Sequence, residues 1–215
     1  MNAKPQILLC FALKEEAFAL QEIMAGKGVA NILITGIGRQ NAEKSVRDFL
    51  ASNSPQRVFT CGFAGGLNPE LAPGAVVFTT DDAQLRENLR GAGARLAKFF
   101  CATRIATTVA EKAELRRSTG ADVVEMESEA IQTVCRERGV ACATVRVISD
   151  TAQEDLPLDF NRLSNPDSSL NYGKLVVAVA KAPGKIPALL RLQRNSSFAA
   201  KRLAEVLVRI LSQPI

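Results

Sequence analysis

Residues 140–150 read VACATVRVISD, and the fold depends on this stretch more than on any other. The run is rich in β-branched residues, which favour strands, and no charge interrupts it before Arg146. It therefore predicts a buried strand that ends at Asp150. The preceding segment, 128–139, is amphipathic and ends at Gly139, which predicts a helix closed by a glycine.

The same alternation of apolar runs and amphipathic stretches extends along most of the chain. Further strands are predicted at 6–13, 29–38, 57–67, 74–80 and 97–107. Further helices are predicted at 14–25, near 40–52, at 110–120 and near 197–212. Strands that alternate with helices indicate one α/β domain over 1–215, with a largely parallel sheet and helices on both faces. The polar, proline-bearing segment 151–172 is predicted to be a loop that covers a site.

The composition excludes several kinds of chemistry. The chain has no histidine, so a Ser-His-Asp triad, a Cys-His pair and a His-ligated zinc are all excluded. Acid–base work must fall to Asp, Glu, Lys, Tyr or Cys, and we expect no metal. The five cysteines form no C-x-x-C motif, so we expect buried, reduced thiols in a cytoplasmic protein. We also expect no signal peptide and no membrane span.

The positive charge is concentrated in the tail. Residues 181–215 hold seven basic side chains and one acidic one, whereas the first 180 residues are close to neutral. This basic amphipathic extension carries an apolar stripe from Leu203 to Leu211. Two interpretations stay open: the stripe docks on the sheet, or the helix lies on an anionic membrane surface.

Candidate functional residues follow the predicted strands, at the edge where ligands bind in open α/β sheets. The stretches are ALKEEAF (12–18), TGIGRQNA (35–42), CGFAGGLNP (61–69), VVEMESEA (123–130) and VRVISDTA (145–152). Each has a structural explanation when taken alone. The acids suit a helix N-terminus, the glycines suit tight turns and Asp150 suits a turn cap.

Taken together, these stretches resemble the superfamily of purine nucleoside phosphorylases and methylthioadenosine/S-adenosylhomocysteine nucleosidases. Their order and approximate spacing match from about residue 6 to 155, and E-M-E with V-R-x-I-S-D is the specific pair. The tail and TGADVVEMES are most similar to the hopanoid-associated phosphorylases, which are thought to release adenine from adenosylhopane. The resemblance implies a three-layer αβα sandwich with a mostly parallel, mixed sheet.

The resemblance also implies catalytic roles. Asp150 matches the general acid that protonates the purine N7, so that the base leaves neutral. Glu127 matches the residue that binds the ribose 2′- and 3′-hydroxyls. Glu16 matches the carboxylate that activates the attacking water, and Arg146 matches the arginine near the nucleophile. Together these roles imply cleavage of an N-glycosidic bond, in which the sugar becomes oxocarbenium-like and the base gains negative charge.

Other residues are implied in substrate binding. Met126 would pack against the sugar, Ser149 would hold Asp150, and Glu125 would support Glu127. Glu129, in the following helix, would be a solvated charge. A glycine-rich turn would line the ribosyl site with Gly62, Phe63, Ala64 and Gly65.

Two departures from the family pattern affect the nucleophile and the base. Phe63 stands where the nucleosidases usually have a serine, and Arg104 stands where they have a base-stacking phenylalanine. Arg104 could stack on the purine or bind phosphate. Glu16 and Arg146 favour a water nucleophile. A phosphate nucleophile would need several cationic or amide donors, and the candidates are Arg104, Arg146, Arg39 and Gly38. Hydrolysis and phosphorolysis therefore both stay open.

These observations predict an enzyme that releases adenine from a nucleoside with a bulky apolar 5′ substituent, as in adenosylhopane. The alternatives are a methylthioadenosine/S-adenosylhomocysteine nucleosidase, a small-substrate purine nucleoside phosphorylase, and a nucleoside-binding protein without turnover. We expect no cofactor apart from phosphate as a possible co-substrate, no nucleic-acid partner, and a homo-oligomer, usually a dimer in this family. The basic C-terminal helix could contact a membrane peripherally.

Overall fold

The computed structural model describes residues 6–25, 28–163, 165 and 172–213, which form a three-layer α/β structure around a mixed sheet. Helices α1, α3 and α8 cover one face, and α2 and α5 cover the other. The strands are β1 (Ile7–Phe11), β2 (Asn31–Ile34), β3 (Arg57–Gly66), β4 (Val76–Thr79), β5 (Arg95–Leu96), β6 (Phe99–Cys101), β7 (Val123–Glu125) and β8 (Ala141–Asp150). The helices are α1 (Lys14–Met24), α2 (Arg39–Ser52), α3 (Ala83–Gly91), α4 (Val109–Thr119), α5 (Ser128–Glu137), α6 (Phe160–Leu163), α7 (Tyr172–Lys181) and α8 (Ile186–Leu211).

The sheet has the order β2-β1-β3-β8-β4-β5, and β7 pairs with the end of β3 while β6 pairs with β7. The four strands from β2 to β8 are parallel, whereas β4 runs antiparallel to β8 and β7 antiparallel to β3. The predicted αβα fold with a mixed sheet is therefore confirmed. The carboxyl ends of β1, β2, β3 and β8 lie along one edge.

The alternation within β1 shows how the core is divided. Ile7, Leu9 and Phe11 point into the core beneath α1 and α8, and Leu8 and Cys10 point into the core beneath α2 and α5. A strand buried on both faces reads as a continuous apolar run, as this one does. The structure therefore explains why the sequence shows no polar side of β1.

The apolar stripe of the tail docks on the domain. In α8 the side chains of Leu203, Val206, Leu207, Ile210 and Leu211 are buried against the sheet and α1. The interpretation in which this stripe lies on a membrane is therefore wrong, because its apolar surface is already covered. The helix is also longer than predicted, since it begins at Ile186 and not near residue 197.

The predicted strand at 97–107 is limited to β6, because its partner β7 offers only three residues. Beyond β6 the backbone bonds to other elements, and the N–H of Ile105 donates to the Asn161 side chain. The predicted glycine turn at 62–66 is instead the last part of β3. It stays extended because Gly65 and Gly66 pair with β7.

The prediction missed α3, which Asp82 caps by accepting the N–H of Leu85. The segment predicted as a loop at 151–172 contains α6 and leads into α7, and residues 164 and 166–171 lie outside the described part. All five cysteines are free, but Cys101 and Cys142 are only partly buried. In the described part of the chain, no helix is both long and apolar enough to cross a lipid bilayer.

Candidate active site

A cavity of about 190 Å³ opens at the carboxyl edge of the sheet, where β1, β2, β3 and β8 end. It brings together ten of the predicted site residues: Glu16, Phe63, Ala64, Gly65, Arg104, Glu125, Met126, Glu127, Ser149 and Asp150. The lining does not include the other four: Gly38, Arg39, Gly62 and Arg146. A larger groove of about 840 Å³ beside β4, β5 and β6 includes neither Glu16 nor Asp150, so we place the candidate site in the smaller cavity.

Glu16 lies in the first turn of α1 and faces the cavity. Its carboxylate accepts the N–H of Leu13 at 2.9 Å, which closes the helix N-terminus, and the N–H of Phe63 at 2.7 Å. Burial raises the pKa of the Glu16 carboxyl to about 7, against the opposing effects of the Arg146 guanidinium and the Phe63 N–H. Glu16 is therefore suited to take a proton near neutral pH.

Gly62 allows this carboxylate to reach β3. Its φ of +139° is rare for residues with a side chain, and a Cβ there would lie 2.6 Å from Glu16 Oε1 and 2.7 Å from Arg146 Nη1. Glycine is therefore required at this position, although Gly62 itself does not line the cavity.

Arg146 lies behind the carboxylates of Glu125 and Glu127 and is almost fully buried. Its Nη2 donates to Glu125 at 2.7 Å, to Glu127 at 3.2 Å and to the Thr60 hydroxyl at 3.1 Å, and its Nη1 donates to the Cys61 carbonyl. Burial by itself lowers the pKa of Arg146, but the neighbouring carboxylates more than reverse this effect. Arg146 therefore acts on the site through the carboxylates that it holds, and it makes no contact with Asp150.

The two glutamates of E-M-E have different surroundings. Glu125 accepts the N–H groups of Glu127 and Ser128 and the Ser128 hydroxyl, so its oxygens are fully engaged at the start of α5. Glu127 accepts the Gly38 N–H on Oε1 and one bond from Arg146 on Oε2. Burial raises the pKa of Glu127, and Arg146 opposes the rise. Glu127 thus keeps free lone pairs for hydroxyl groups.

Asp150 ends β8 on the other side of the cavity. Its Oδ1 accepts the Ser149 hydroxyl at 2.8 Å, and its Oδ2 forms an ion pair with Lys112 Nζ at 2.6 Å. A Cβ on Gly65 would lie 3.3 Å from Oδ2. Phe63 anchors Glu16 and Gly65 adjoins Asp150, so the two carboxylates are held at points roughly 7 Å apart along β3.

Two of the arginines predicted to bind the base or phosphate, Arg104 and Arg39, form ion pairs with glutamates instead. Arg104 lines the cavity edge, but its guanidinium pairs with Glu111 at 2.6 Å and is largely exposed. Arg39 pairs with the exposed Glu129 at 2.5 Å. The Gly38 N–H, the other anion candidate, binds Glu127. The described residues therefore do not converge on a phosphate-sized anion.

Two residues near the site were missed by sequence reasoning. Lys112 is fully buried in α4, and the only signal for it is its spacing of three residues from Val109 and from Leu115 on an otherwise polar helix. The Asn161 amide in α6 bonds both backbone groups of Ile105, at 2.9 and 3.0 Å, and so ties the segment after β8 to the cavity wall. No sequence pattern indicates that pairing.

Comparison with known proteins decides the family. The family model described as the phosphorylase superfamily matches residues 13–104 and 82–181, which is most of the chain. The chain belongs to the phosphorylase superfamily. This membership confirms the resemblance seen in the sequence, and it makes the protein an enzyme of the nucleoside phosphorylase and nucleosidase type.

The superfamily relatives include several nucleosidases. The chain is 30% identical to a 5′-methylthioadenosine/S-adenosylhomocysteine nucleosidase of Marinomonas sp., over 63% of this chain and 73% of that one. It is 27% identical to an aminodeoxyfutalosine nucleosidase of Campylobacter jejuni, over 58% and 69%. The structure of futalosine hydrolase from Helicobacter pylori superimposes with a TM-score of 0.72 at 15% identity, covering 96% of this chain and 97% of that one.

Within the described ranges, no group of three or more His, Cys, Asp or Glu side chains could hold a metal ion. The chemistry available in the cavity is that of carboxylates, held by backbone N–H groups, by Arg146 and by Lys112. The roles of the individual residues stay predictions, and they are taken up next.

Proposed function

We propose that this protein hydrolyses the N-glycosidic bond of an adenine nucleoside that carries a bulky apolar 5′ substituent, as adenosylhopane does. The observation that supports the proposal most is that Glu16, Glu127 and Asp150 line one cavity and that each is held by a different partner. A nucleosidase needs three carboxyl groups in three roles: a base for water, a ligand for the sugar and an acid for the leaving purine.

The proposed steps follow from the contacts. Asp150, protonated, donates its proton to the purine N7 as the C1′–N9 bond breaks and its electron pair moves onto the base. Glu127 accepts the ribose 2′- and 3′-hydroxyls and stabilises the positive charge that develops on the sugar. Glu16, ionised, removes a proton from the water that attacks C1′. The products are adenine and the free sugar, and solvent restores both carboxyl groups.

Water is the proposed nucleophile, because the cavity favours a neutral molecule over an anion. Its acidic side chains are Glu16, Glu125, Glu127 and Asp150, and Arg104 is the one cation among the described lining residues. A phosphate dianion would meet these carboxylates without a pair of free cations to bind it. Phosphorolysis is therefore the less favoured outcome, and it can be tested by its product.

The apolar 5′ group is supported by the side chains at the rim of the cavity. Next to Glu16 the lining is apolar, with Leu13, Ile37 and Phe63. Phe63, which replaces a serine hydroxyl by an aromatic ring, fits a lipid-like group better than a polar one.

The test is adenine release by purified protein from methylthioadenosine, S-adenosylhomocysteine and an adenosyl-lipid in detergent, each with and without phosphate. We expect adenine and a free reducing sugar, no need for phosphate, and the highest kcat/KM for the adenosyl-lipid. Ribose 1-phosphate as product would replace hydrolysis by phosphorolysis. A preference for methylthioadenosine would refute the apolar 5′ group, and no adenine from any substrate would indicate a binding protein. Sedimentation of the same preparation tests the expected homodimer.

We further propose that a cytoplasmic membrane surface presents this substrate, through a patch other than the predicted stripe. The patch consists of exposed apolar side chains in α7 and the start of α8, with basic residues beside them: Val176, Val177, Ile186, Leu190, Lys185, Arg191 and Arg194. Apolar side chains flanked by cations bind anionic lipid surfaces.

Flotation with phosphatidylserine vesicles tests this proposal. Val176→Ser with Val177→Ser should reduce binding, while Phe18→Ser, which removes an equally exposed ring on α1, should not. Equal binding by all three proteins would refute it.

A further inference from the structure

The lysine in α4 stands apart from every other lysine whose side chain the structure describes, because it is completely buried. Lys112 has no exposed surface, and its ammonium makes three contacts: Asp150 Oδ2 at 2.6 Å, the Thr151 carbonyl at 2.6 Å and the Glu154 carbonyl at 2.8 Å. An ammonium has three donors, so all of them are used. Burying a charge without such partners is strongly unfavourable, and a buried cation with so complete a set of acceptors is a built feature.

These contacts all converge on the candidate acid and the backbone directly after it. Asp150 is the last residue of β8, and Thr151 and Glu154 belong to the turn that follows. Lys112 therefore fixes both the carboxylate and the chain that carries it. Of the two Asp150 oxygens, Oδ2 is held by the ammonium, which leaves Oδ1, with its bond from the Ser149 hydroxyl, as the oxygen that can carry a proton.

We propose that Lys112 is a positioning residue for Asp150, which aims the carboxyl group at the leaving base and stabilises the carboxylate that remains after proton donation. The inference rests on the proposed function. In the step itself the Asp150 O–H bond breaks, an N–H bond forms on the purine, and the new negative charge on Asp150 lies against an ammonium that is already in place. Because that ammonium does not have to move, it favours donation at the moment the C1′–N9 bond breaks.

Lys112 is the one cation in contact with Asp150 among the described residues. Asp150 lines the candidate site and also a neighbouring cavity between the turn after β8 and the start of α8. The other charged groups that line these two cavities are Glu16, Arg104, Glu125, Glu127, Glu154, Asp155 and Arg191. Arg104 is bound to Glu111, and Arg146 is bound to Glu125 and Glu127. Removing Lys112 therefore leaves the Asp150 carboxylate beside other acids and without a cation in contact with it.

The experiment is the steady-state kinetics of adenine release by wild type, Lys112→Met and Lys112→Arg. In Lys112→Met we expect kcat to fall about 100-fold, the size of an impaired general acid, with KM changed less than about threefold. Lys112→Arg, which keeps the charge, should restore part of kcat.

Lys98→Met is the matched control, since Lys98 also donates to a backbone carbonyl, that of Thr119, but lies outside the candidate site. It should leave kcat and KM unchanged. If Lys112→Met fails to fold, Lys112→Gln keeps a donor for the carbonyls without the charge. A loss of kcat that comes with an equally large change in KM, a loss that Lys112→Arg does not relieve, or no loss at all would overturn the role of Lys112. Wild type that releases no adenine would instead refute the proposed function.

Discussion

The two ends of the cavity hold their carboxyl groups in different ways. Glu16 is bound by two neutral backbone N–H groups, from Leu13 and Phe63, and no cation of the described residues pairs with it directly. Asp150 is bound by a side-chain hydroxyl and by the buried Lys112 ammonium. The first end lets a carboxyl group gain or lose a proton near neutral pH, and the second end keeps a counter-charge ready for a carboxylate. The proposed hydrolysis moves one proton to the leaving base and another from water, and it would use both arrangements.

The largest expected effect comes from disabling either end. Asp150→Asn and Glu16→Gln should each lower kcat for adenine release by about 1,000-fold, or about 4 kcal/mol, since neither amide can transfer the proton. Steady-state kinetics at neutral pH measure this loss. Glu15→Gln, which changes an exposed neighbour on the same helix turn, should keep wild-type kcat. A loss confined to one of the two variants would mean that one end alone does the chemistry.

The pH response should separate the two ends next. The pKa of Glu16 is raised from 4.5 to about 7, so its protonated form favours the folded state, and this contribution is lost as pH rises from about 4.5 through about 7. It corresponds to about 3 kcal/mol of unfolding free energy. Over the same interval kcat should rise, because the water needs the ionised base.

Urea unfolding at pH 5 and pH 8 measures the stability part of this prediction. The difference between the two pH values should change by about 2.5 kcal/mol in Glu16→Gln relative to wild type. Glu15→Gln should behave like wild type. An unchanged difference in Glu16→Gln would show that Glu16 does not titrate in this interval.

A smaller effect is expected for the residue between the two ends. Glu127→Gln should lower kcat/KM by about 10- to 100-fold, because hydrogen bonds to a charged acceptor are each worth about 1.5–3 kcal/mol. The same variant should discriminate less between a ribonucleoside and its 2′-deoxy analogue. Glu129→Gln, two residues away but exposed and paired with Arg39, is the control and should match wild type. Undiminished discrimination in Glu127→Gln would remove Glu127 from the sugar site.

The smallest effect concerns the segment that follows Asp150. Asn161→Ala should lower the unfolding free energy by about 1 kcal/mol, since it removes two hydrogen bonds to Ile105 that are partly buried. KM should change a few-fold and kcat little, because Asn161 holds the cavity wall and not the acid. Thermal unfolding and steady-state kinetics together check this. A kcat loss as large as that of Asp150→Asn would place Asn161 in the chemistry.

Much of the fold was predictable, because β1 and β8 are apolar runs whose type is set locally. The segment 97–107 was not, since the length of β6 depends on how much of β7 lies beside it, which is a long-range property. The same holds for α8, whose first half exposes Ile186 and Leu190 and so shows no inward-facing pattern.

The candidate site likewise contains residues that could be predicted from the sequence and one that could not. Glu16, Glu127 and Asp150 follow strands, and strand ends meet at one edge whatever the details of packing. Lys112 was missed, because its spacing of three residues from Val109 and from Leu115 is a faint signal on an otherwise polar helix. Its burial arises only when α4 meets the turn after β8.

The pairing of β3 with β8 is irregular at one point. Ala64 lies opposite Ile148, but the next residue, Gly65, lies opposite Asp150. Ser149 is thus an extra residue, and side chains in a strand change faces at every step. Because this extra residue lies between Arg146 and Asp150, the side of the sheet on which the Asp150 side chain lies is not fixed by that of Arg146. The facing of Asp150 is therefore separate from that of Arg146, and a one-residue deletion at Ser149 would turn Asp150 away from the cavity while leaving the core of β8 intact.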